Sequence, residues 1–345
     1  MQTPPTAAVG WDIGGVNTKV ARAAGGRVLA ALSRPFELQR DLGALTPLLA
    51  RLAREVGARA GEPHGVTMTA ELSQAFRTKR EGVRFVLDAV AGALPDATVR
   101  VFAVDGRWLT LDEAARQPLA VAASNWSASA QLVARAHPDC LLVDVGTTTA
   151  DVIPIVGGRV AAVGRTDPER LQSGELVYTG ALRTPVEAIA HAVPLPGGPA
   201  GVSAEAFALA GDAHLWLGAL APDDYTVPTP DGRPAARDFA GERLARVVCA
   251  DREMLDDAAI TAIARHVADA QALAIADAIG RVRARHPGRL DTAVVTGLGA
   301  FLAAAAAGRA GVPRILRLAD EHDDAVARST PAAAVAVLLG EREEG

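Results

Sequence analysis

Two short segments of this chain resemble each other, and this repeat constrains the fold more than any other feature. Residues 9–20 (VGWDIGGVNTKV) and 142–153 (LVDVGTTTADVI) each read as an apolar strand with one aspartate, a turn of small residues and a second apolar strand. The aspartates are Asp12 and Asp144. Glycine in such a turn lets backbone N–H groups approach an anion closely. The repeat therefore predicts two phosphate-binding β-hairpins that face each other across a cleft.

The rest of the chain alternates between helix and strand patterns. Apolar spacing predicts helices at residues 41–57, 81–93, 125–136 and 256–285 and strands at 66–69, 100–103, 291–295 and 314–318. Proline and glycine place residues 194–201 in a loop. With the repeated hairpins, this order predicts an α/β protein with internal duplication. The predicted first lobe comprises residues 1–120 and 328–345, and the second lobe comprises residues 121–327.

Composition and charge narrow the classes of partner. The net charge is −5, so no basic surplus argues for nucleic acid or an anionic membrane, and small-molecule substrates are expected. Residues 1–8 lack the basic and apolar regions of a signal peptide, and the apolar run at residues 300–307 is too short to span a bilayer. We therefore expect a cytoplasmic protein, and leave open whether it forms a homo-oligomer.

The first hairpin offers donors to a phosphate in its turn and second strand. Because Asp12 and a phosphate are both anions, Asp12 would instead hold Mg²⁺, which keeps several waters and takes one or two carboxylates. The alternative is that the glycines only make a tight turn. The candidate phosphate-binding residues here are Gly14, Gly15, Asn17, Thr18 and Lys19.

The second hairpin strengthens the phosphate interpretation. Asp144 occupies the place of Asp12, as a second candidate ligand of Mg²⁺ and a candidate catalytic group, and the turn carries three threonines where Asn-Gly would serve a plain hairpin better. A later strand runs into a glycine-rich turn and a helix, whose N-terminus has room for an anion or a purine ring. The candidates in these two elements are Gly146, Thr147, Thr148, Thr149, Gly297 and Gly299.

The two hairpins, the later glycine turn and a closing helix at residues 331–339 together resemble the sugar kinase, Hsp70 and actin superfamily. Within it the chain resembles the hydantoinase/oxoprolinase-related group. More narrowly, it is similar to the methanofuran-type condensing enzymes and to the bacterial proteins linked to tetrahydromethanopterin-dependent one-carbon transfer. The matching stretches are residues 10–21, 69–83, 124–130, 142–154, 164–186 and 243–255. The resemblance implies a two-lobed actin-like (ribonuclease H-like) ATPase fold.

The same resemblance implies a transferase. The archaeal enzymes join an aminomethylfuran-methyl diphosphate to the phenol oxygen of γ-glutamyltyramine and release diphosphate. Bacterial methylofuran carries tyrosine in place of tyramine, so a tyrosine-type phenol is the expected acceptor here. The two hairpins with Mg²⁺ would hold the diphosphate.

A phenol has a pKa of about 10, so a carboxylate or a histidine must take its proton during attack. Glu71 and Glu175, both in stretches that match the family, are the candidate bases, and the alternative for each is a helix cap or a salt bridge. Arg77 and Lys79 are either a clamp for the diphosphate or part of a solvated face.

Two other functions remain open from the sequence. One is an ATP-dependent enzyme, either a hydantoinase/oxoprolinase-like hydrolase or a small-molecule kinase. The other is a non-catalytic nucleotide-binding protein of the same pathway. ATP is not the favoured ligand, because Leu298 between Gly297 and Gly299 would crowd an adenine ring.

Overall fold

The computed structural model describes residues 6–344; Met1–Pro5 and Gly345, which belong to the predicted first lobe and N-terminal segment, lie outside the described residues. The chain forms two compact units. Of the described residues, the first unit contains those up to Cys140, Ile153–Arg170 and those from Leu318 onward; the second contains Leu141–Val152 and Leu171–Arg317. Residues 121–140, 153–170 and 318–327, which the sequence assigned to the second lobe, thus group with the first unit.

The strands form two larger sheets and one small hairpin. The first sheet has the order β3–β2–β1–β4–β5–β6, the second has the order β10–β8–β7–β13–β14 with β9 beside β8, and β11 pairs with β12. The strands are β1 (Ala7–Ile13), β2 (Asn17–Ala24), β3 (Arg27–Pro35), β4 (His64–Met68), β5 (Val99–Phe102), β6 (Trp108–Leu109), β7 (Cys140–Val145), β8 (Ala150–Val156), β9 (Arg159–Val160), β10 (Leu176–Val177), β11 (Ala192–Leu195), β12 (Gly198–Gly201), β13 (Thr292–Thr296) and β14 (Arg314–Arg317).

The helices alternate with these strands, as the sequence predicted. They are α1 (Leu45–Glu55), α2 (Lys79–Ala93), α3 (Leu111–Arg116), α4 (Pro118–Val121), α5 (Asn125–Ala136), α6 (Asp167–Ser173), α7 (Val186–Ile189), α8 (Ala210–Trp216), α9 (Arg237–Arg246), α10 (Asp257–Ala284), α11 (Ala300–Arg309), α12 (Asp324–Arg328) and α13 (Thr330–Glu344). None of the helices in residues 6–344 has the length and apolar composition that a bilayer crossing needs.

The alanine-rich helix α13 explains part of the division into units. It packs on β1, where a side chain at Gly10 would overlap the backbone of Ala332 and Ala336. It also packs against α5, so the chain that includes α5 belongs with the first unit. The buried core of this unit contains Trp11, and its β1, β4 and β5 strands are covered by α1 and α2.

The strand register places the candidate residues of each unit at the carboxyl ends of neighbouring parallel strands. In the first sheet β1 and β4 are parallel, with Ile13 beside Met68, so the turn after β1 and the segment after β4 end side by side. In the second sheet β7 and β13 are parallel, with Asp144 beside Thr296. The carboxyl ends of parallel strands are where open α/β sheets bind ligands.

The segment at residues 194–201 differs from its prediction. It belongs to a short antiparallel hairpin, in which Pro194 lies opposite Pro199 and Leu195 opposite Gly198. Gly197 and Gly198 have φ values of 96° and 136°, a backbone conformation that glycine adopts readily. The prolines and glycines that suggested a loop therefore form the hairpin turn and its edges, so the loop prediction was wrong.

Candidate functional site

The first hairpin has a turn whose backbone is fixed from one side. The Gly14 N–H donates to the Asn17 carbonyl at 3.0 Å and closes the turn. The Gly15 carbonyl accepts from the Leu38 N–H at 3.0 Å, and the Val16 carbonyl accepts from the Phe36 N–H at 2.7 Å. Because a trans peptide holds its C=O and N–H on opposite sides, the N–H groups of Val16 and Asn17 point away from residues 36–38. Two successive N–H groups in this orientation suit an anion.

The side chains of this hairpin are less available than its backbone. Asp12 is 5% exposed and lies opposite Lys19 on β2, with Lys19 Nζ at 3.5 Å from Asp12 Oδ2. Thr18 is fully buried, whereas Gly14, Gly15 and Asn17 are partly exposed. The structure therefore brings the predicted residues of this hairpin together. However, Lys19 lies beside Asp12, and the Thr18 side chain is buried.

The second hairpin repeats the arrangement in the second unit. The Gly146 N–H donates to the Thr149 carbonyl at 2.9 Å. The Gly146 carbonyl accepts from Ala181 at 2.9 Å, and the Thr147 carbonyl accepts from both Leu182 and Arg183 at 3.1 Å. By the same geometry, the N–H groups of Thr147 and Thr148 point away from residues 181–183. Residues 146–149 are partly exposed.

The glycine turn after β13 packs directly on this hairpin. Gly297 has a φ of 87°, and a side chain there would overlap the Asp144 carboxylate and the Val145 carbonyl. The Gly299 N–H donates to the Val145 carbonyl at 2.8 Å. Helix α11 begins at the next residue. The structure thus assembles all the predicted residues of the second hairpin and of the glycine turn within the second unit.

The donor chemistry at Asp144 suits a hydrated Mg²⁺ rather than a metal held entirely by protein. Among residues 6–344 there is no group of three or more histidine, cysteine, aspartate or glutamate residues that could hold a metal ion. Mg²⁺ needs fewer, since it commonly binds through one or two carboxylates and keeps several waters. Asp144 is partly exposed beside two turns and can be reached by a hydrated ion, whereas Asp12 is only 5% exposed. Of the two predicted ligands, Asp144 therefore fits the ion better.

Glu71 lies in the short turn after β4 and is the most unusual carboxylate of the first unit. It is 1% exposed, and neither of its carboxylate oxygens has a hydrogen-bond partner in the part of the chain that the structure describes. Burial raises its pKa from 4.5 to about 7, and the positive charge of Lys79 opposes that rise. Buried carboxylates that serve only structure are normally satisfied by hydrogen bonds. An unsatisfied one with a pKa near neutrality is suited to proton transfer.

Lys79 connects Glu71 to a third residue that sequence reasoning missed. Its Nζ lies 3.7 Å from Glu71 Oε1 and 2.6 Å from Asp167 Oδ2. One ammonium between two carboxylates has its charge already compensated, so Lys79 is less suited to bind diphosphate than the sequence suggested. Asp167 follows Arg165 in the long family stretch, and that position was its only signal.

Glu175 has a different environment in the second unit. Its side chain is fully buried, and its Oε1 accepts from Arg285 Nη2 at 2.8 Å. Arg285 also donates to the Ser173 carbonyl at 2.7 Å, so it ties the segment before β10 to the end of α10. Glu175 thus forms a salt bridge, which was the alternative to its predicted role as a base. Arg77 is exposed, and its side chain makes no ion pair among the described residues.

Comparison with known proteins places the chain in a family. The sequence profile of the hydantoinase/oxoprolinase family matches residues 62–342, so the chain belongs to this family. The chain is 37% identical to the (4-{4-[2-(gamma-L-glutamylamino)ethyl]phenoxymethyl}furan-2-yl)methanamine synthase of Methanocaldococcus jannaschii over 335 residues. The matched region covers 96% of this chain and 97% of that protein. The synthase of the same name from Methanococcus vannielii is 33% identical over 204 residues, 58% of this chain and 90% of that protein.

Among solved structures, the nucleotide-free acetone carboxylase shares the fold, with a TM-score of 0.56 at 12% identity over 97% of this chain and 70% of that one. The predicted resemblance to the methanofuran-type synthases is confirmed by the two archaeal relatives, and the predicted α/β fold class is confirmed as well. The relatives are named synthases, so the chain is assigned as an enzyme.

Proposed function

We propose that the chain is a synthase that joins an aminomethylfuran-methyl diphosphate to the phenol oxygen of a tyrosine or tyramine derivative, including the glutamyl derivative. The observation that carries this proposal is the 37% identity over 96% of the chain to a synthase of known product. The product after which that synthase is named contains a phenoxymethyl group on a furan, which is an alkyl aryl ether. An enzyme of this kind forms a bond between a phenol oxygen and a furfuryl carbon.

The proposed reaction breaks one C–O bond and makes another. The bond between the furfuryl carbon and the diphosphate breaks, and diphosphate leaves with the electron pair. The phenol oxygen bonds to the same carbon and loses its proton to a base. The furan oxygen delocalises the positive charge that grows at the carbon, so departure of diphosphate runs ahead of attack. Catalysis then depends on stabilising the charge on the leaving group and on removing the proton.

The second unit is the proposed diphosphate-binding unit. The outward N–H groups of Thr147 and Thr148 and the threonine hydroxyls would contact the diphosphate oxygens. Gly297 and Gly299 leave the room that this requires beside Asp144. Asp144 would hold Mg²⁺, which would supply positive charge to the departing diphosphate.

Glu71 is the proposed general base. Its pKa of about 7 keeps the carboxylate largely ionised above neutrality and close to the optimum for accepting a phenol proton. Lys79 is partly exposed, and its Nζ lies 3.7 Å from Glu71 Oε1. Glu175 is left out of the chemistry because Arg285 pairs with it.

A direct assay tests the proposal. The purified protein is incubated with Mg²⁺, the furan diphosphate and a tyrosine or glutamyl-tyramine acceptor, and diphosphate release and product mass are followed together. We expect one ether product for each diphosphate released, and activity that rises with pH through about 7 as Glu71 ionises. Glu71→Gln should lose about 10²-fold or more in kcat, whereas Glu175→Gln should act mainly through stability.

The same assay with ATP alone separates the alternatives. ATP hydrolysis without condensation would replace the proposal by the hydrolase or kinase function. Activity with neither substrate set would favour a non-catalytic pathway protein. Full activity of Glu71→Gln with a wild-type pH profile would remove Glu71 as the base and leave the condensation itself standing.

A further inference from the structure

A buried polar network in the second unit lies directly behind the turn of the second hairpin. Gly180 occupies a position where a Cβ atom would lie 2.5 Å from both the nitrogen and the carbonyl carbon of Thr148. The residues that follow, 181–183, donate the three backbone hydrogen bonds that hold the carbonyls of Gly146 and Thr147. The position of the Gly180 segment therefore determines where the N–H groups of Thr147 and Thr148 point.

The side chain of Gln271, on helix α10, holds this segment in place. Its Nε2 donates to the Thr179 hydroxyl at 2.7 Å and to the Gly180 carbonyl at 2.8 Å. The Gly180 N–H donates in turn to the Thr184 hydroxyl at 3.1 Å. Gln271 is 1% exposed, so these contacts are shielded from water. Both peptide groups of Gly180 are thereby tied to side chains of fixed position.

The donors and acceptors of the network have one consistent assignment. Since both N–H groups of the Gln271 amide are used, its Oε1 accepts at 2.9 Å from the Nε2 of His214, which must carry the proton. Burial lowers the pKa of His214, so the ring is neutral and this tautomer is the one the network selects. The Thr179 hydroxyl, which accepts from Gln271, is left to donate to Thr184 at 3.1 Å.

The network also reaches the glycine turn. The ring of His214 packs edge-on against Phe301 with centroids 4.9 Å apart, and Phe301 lies in the first turn of α11. A Cβ atom at Gly299 would lie 3.2 Å from Ala181 Cβ, so the segment held by Gln271 also contacts this turn. One buried amide thus connects α8, α10 and both candidate diphosphate-binding elements of the second unit.

We propose that Gln271, supported by His214 and Thr184, is a positioning residue for diphosphate: it sets the direction of the Thr147 and Thr148 N–H groups through the Gly180 segment. The inference rests on the proposed diphosphate-binding role of this hairpin and deepens it. Gln271 does not touch the ligand in this account. Its removal leaves the anion-binding groups present but misdirected, which weakens anion binding even though every donor remains.

The test is calorimetric binding of Mg²⁺-pyrophosphate to the full-length protein. Gln271→Leu removes the amide at similar volume, and Thr184→Val removes one hydroxyl while Thr184→Ser keeps it. The matched control is Thr261→Val, which deletes the hydrogen bond at 3.0 Å from Trp216 Nε1 to Thr261, also between α8 and α10 but away from the hairpin. Amide hydrogen exchange at residues 146 and 181–183 is followed in the same proteins.

We expect Gln271→Leu to weaken pyrophosphate binding about tenfold or more, the consequence of roughly 1.4 kcal/mol of lost positioning. Thr184→Val should weaken it less, Thr184→Ser should restore it, and Thr261→Val should bind as the wild type does even where it melts earlier. Exchange at residues 181–183 should accelerate only in Gln271→Leu and Thr184→Val.

Wild-type affinity in both Gln271→Leu and Thr184→Val, or an equal loss in Thr261→Val, would overturn the positioning role alone. Wild-type protein that binds no pyrophosphate would instead overturn the diphosphate site of the proposed function, and this inference with it. If Gln271→Leu does not fold, the Thr184→Val and Thr184→Ser pair gives the decision, because only the hydroxyl distinguishes them.

Discussion

The two units contain the same pair of acidic features, a hairpin aspartate and a buried glutamate, in different surroundings; in the first unit Lys79 lies 3.7 Å from Glu71 without a hydrogen bond to it. In the first unit Lys19 lies beside the hairpin aspartate Asp12, and Glu71 has two unsatisfied oxygens. In the second unit Arg285 pairs with the glutamate, Glu175, and the hairpin aspartate Asp144 lies beside the Gly297 turn. The turns themselves close with the same hydrogen bond, at 3.0 Å and 2.9 Å.

This difference indicates a division of labour between two related halves. A cation beside Asp12 makes that position poor for Mg²⁺, and an arginine on Glu175 makes that carboxylate poor as a base. Asp144 is partly exposed, and Glu71 is buried with a pKa raised to about 7. Under the proposed function, Asp144 is the candidate for stabilising the leaving group and Glu71 the candidate for proton transfer, although the duplicated hairpins alone suggest that the halves are equivalent.

The first prediction compares the two hairpin aspartates, and it has the largest expected effect. Asp144→Asn should lower kcat/KM for the furan diphosphate about 10³-fold, since charge stabilisation of this kind is worth about 10²–10³ per donor and more for a metal ligand. Asp12→Asn should lower it by about tenfold or less. The measurement is steady-state condensation at several Mg²⁺ concentrations. Equal losses in the two variants would mean that the hairpins share one role.

The second prediction concerns Glu71 and stability. The pKa of Glu71 is raised from 4.5 to about 7, so the folded state binds this proton more tightly than the unfolded chain. Its contribution to stability is therefore full below pH 4.5 and is lost as the pH rises through about 7. Glutamine at this position cannot ionise, and Glu71→Gln should be more stable than wild type at pH 8 by about 3 kcal/mol, at roughly 1.4 kcal/mol per tenfold shift in protonation.

Denaturant unfolding of both proteins at pH 5 and pH 8 measures this difference. Glu175→Gln is the matched control, and should be less stable than wild type because Arg285 loses its partner. A wild-type pH dependence in Glu71→Gln would show that another group titrates. The expected combination, higher stability with lower activity, is what a strained functional carboxylate produces.

A third prediction compares glycines of the two units. Gly297→Ala places a methyl group against Asp144 and Val145 at a φ of 87°, and should destabilise the protein by about 1–3 kcal/mol and displace Asp144. Gly15→Ala meets no atom within 4 Å, and should change stability by less than about 1 kcal/mol. Thermal unfolding and pyrophosphate binding check both. Similar behaviour of the two variants would contradict the close packing of the glycine turn on the second hairpin.

The parts of the fold that sequence predicted are those encoded locally. The hairpins around Asp12 and Asp144 have their turn residues next to their strands, and the helix predicted at residues 256–285 is α10 (Asp257–Ala284), whose apolar residues recur at helical spacing. Helix α8 was not predicted because all seven of its residues are buried, so its sequence has no polar face to reveal a period.

The roles of the two glutamates could not be separated from sequence, because the ion pairs that distinguish their surroundings join residues distant in the chain. Lys79 is separated from Asp167 by 88 positions, and Arg285 from Glu175 by 110. Only the folded chain shows that Glu175 pairs with an arginine, whereas the carboxylate oxygens of Glu71 are buried without a hydrogen bond in the described part of the chain. The same applies to Gln271, which sequence reasoning did not single out and which lies 92 positions from Thr179.

The smallest expected effect is that of Lys19→Gln in the first hairpin. Lys19→Gln removes the ammonium group beside Asp12. The Lys19 side chain is 24% exposed and the Asp12 side chain 7%, and we expect the ion pair to contribute less than about 1 kcal/mol to stability. The variant should leave condensation within about threefold of wild type. A large loss of condensation in Lys19→Gln would instead place Lys19 on the diphosphate, as the sequence first suggested, and would end the division of labour between the two units.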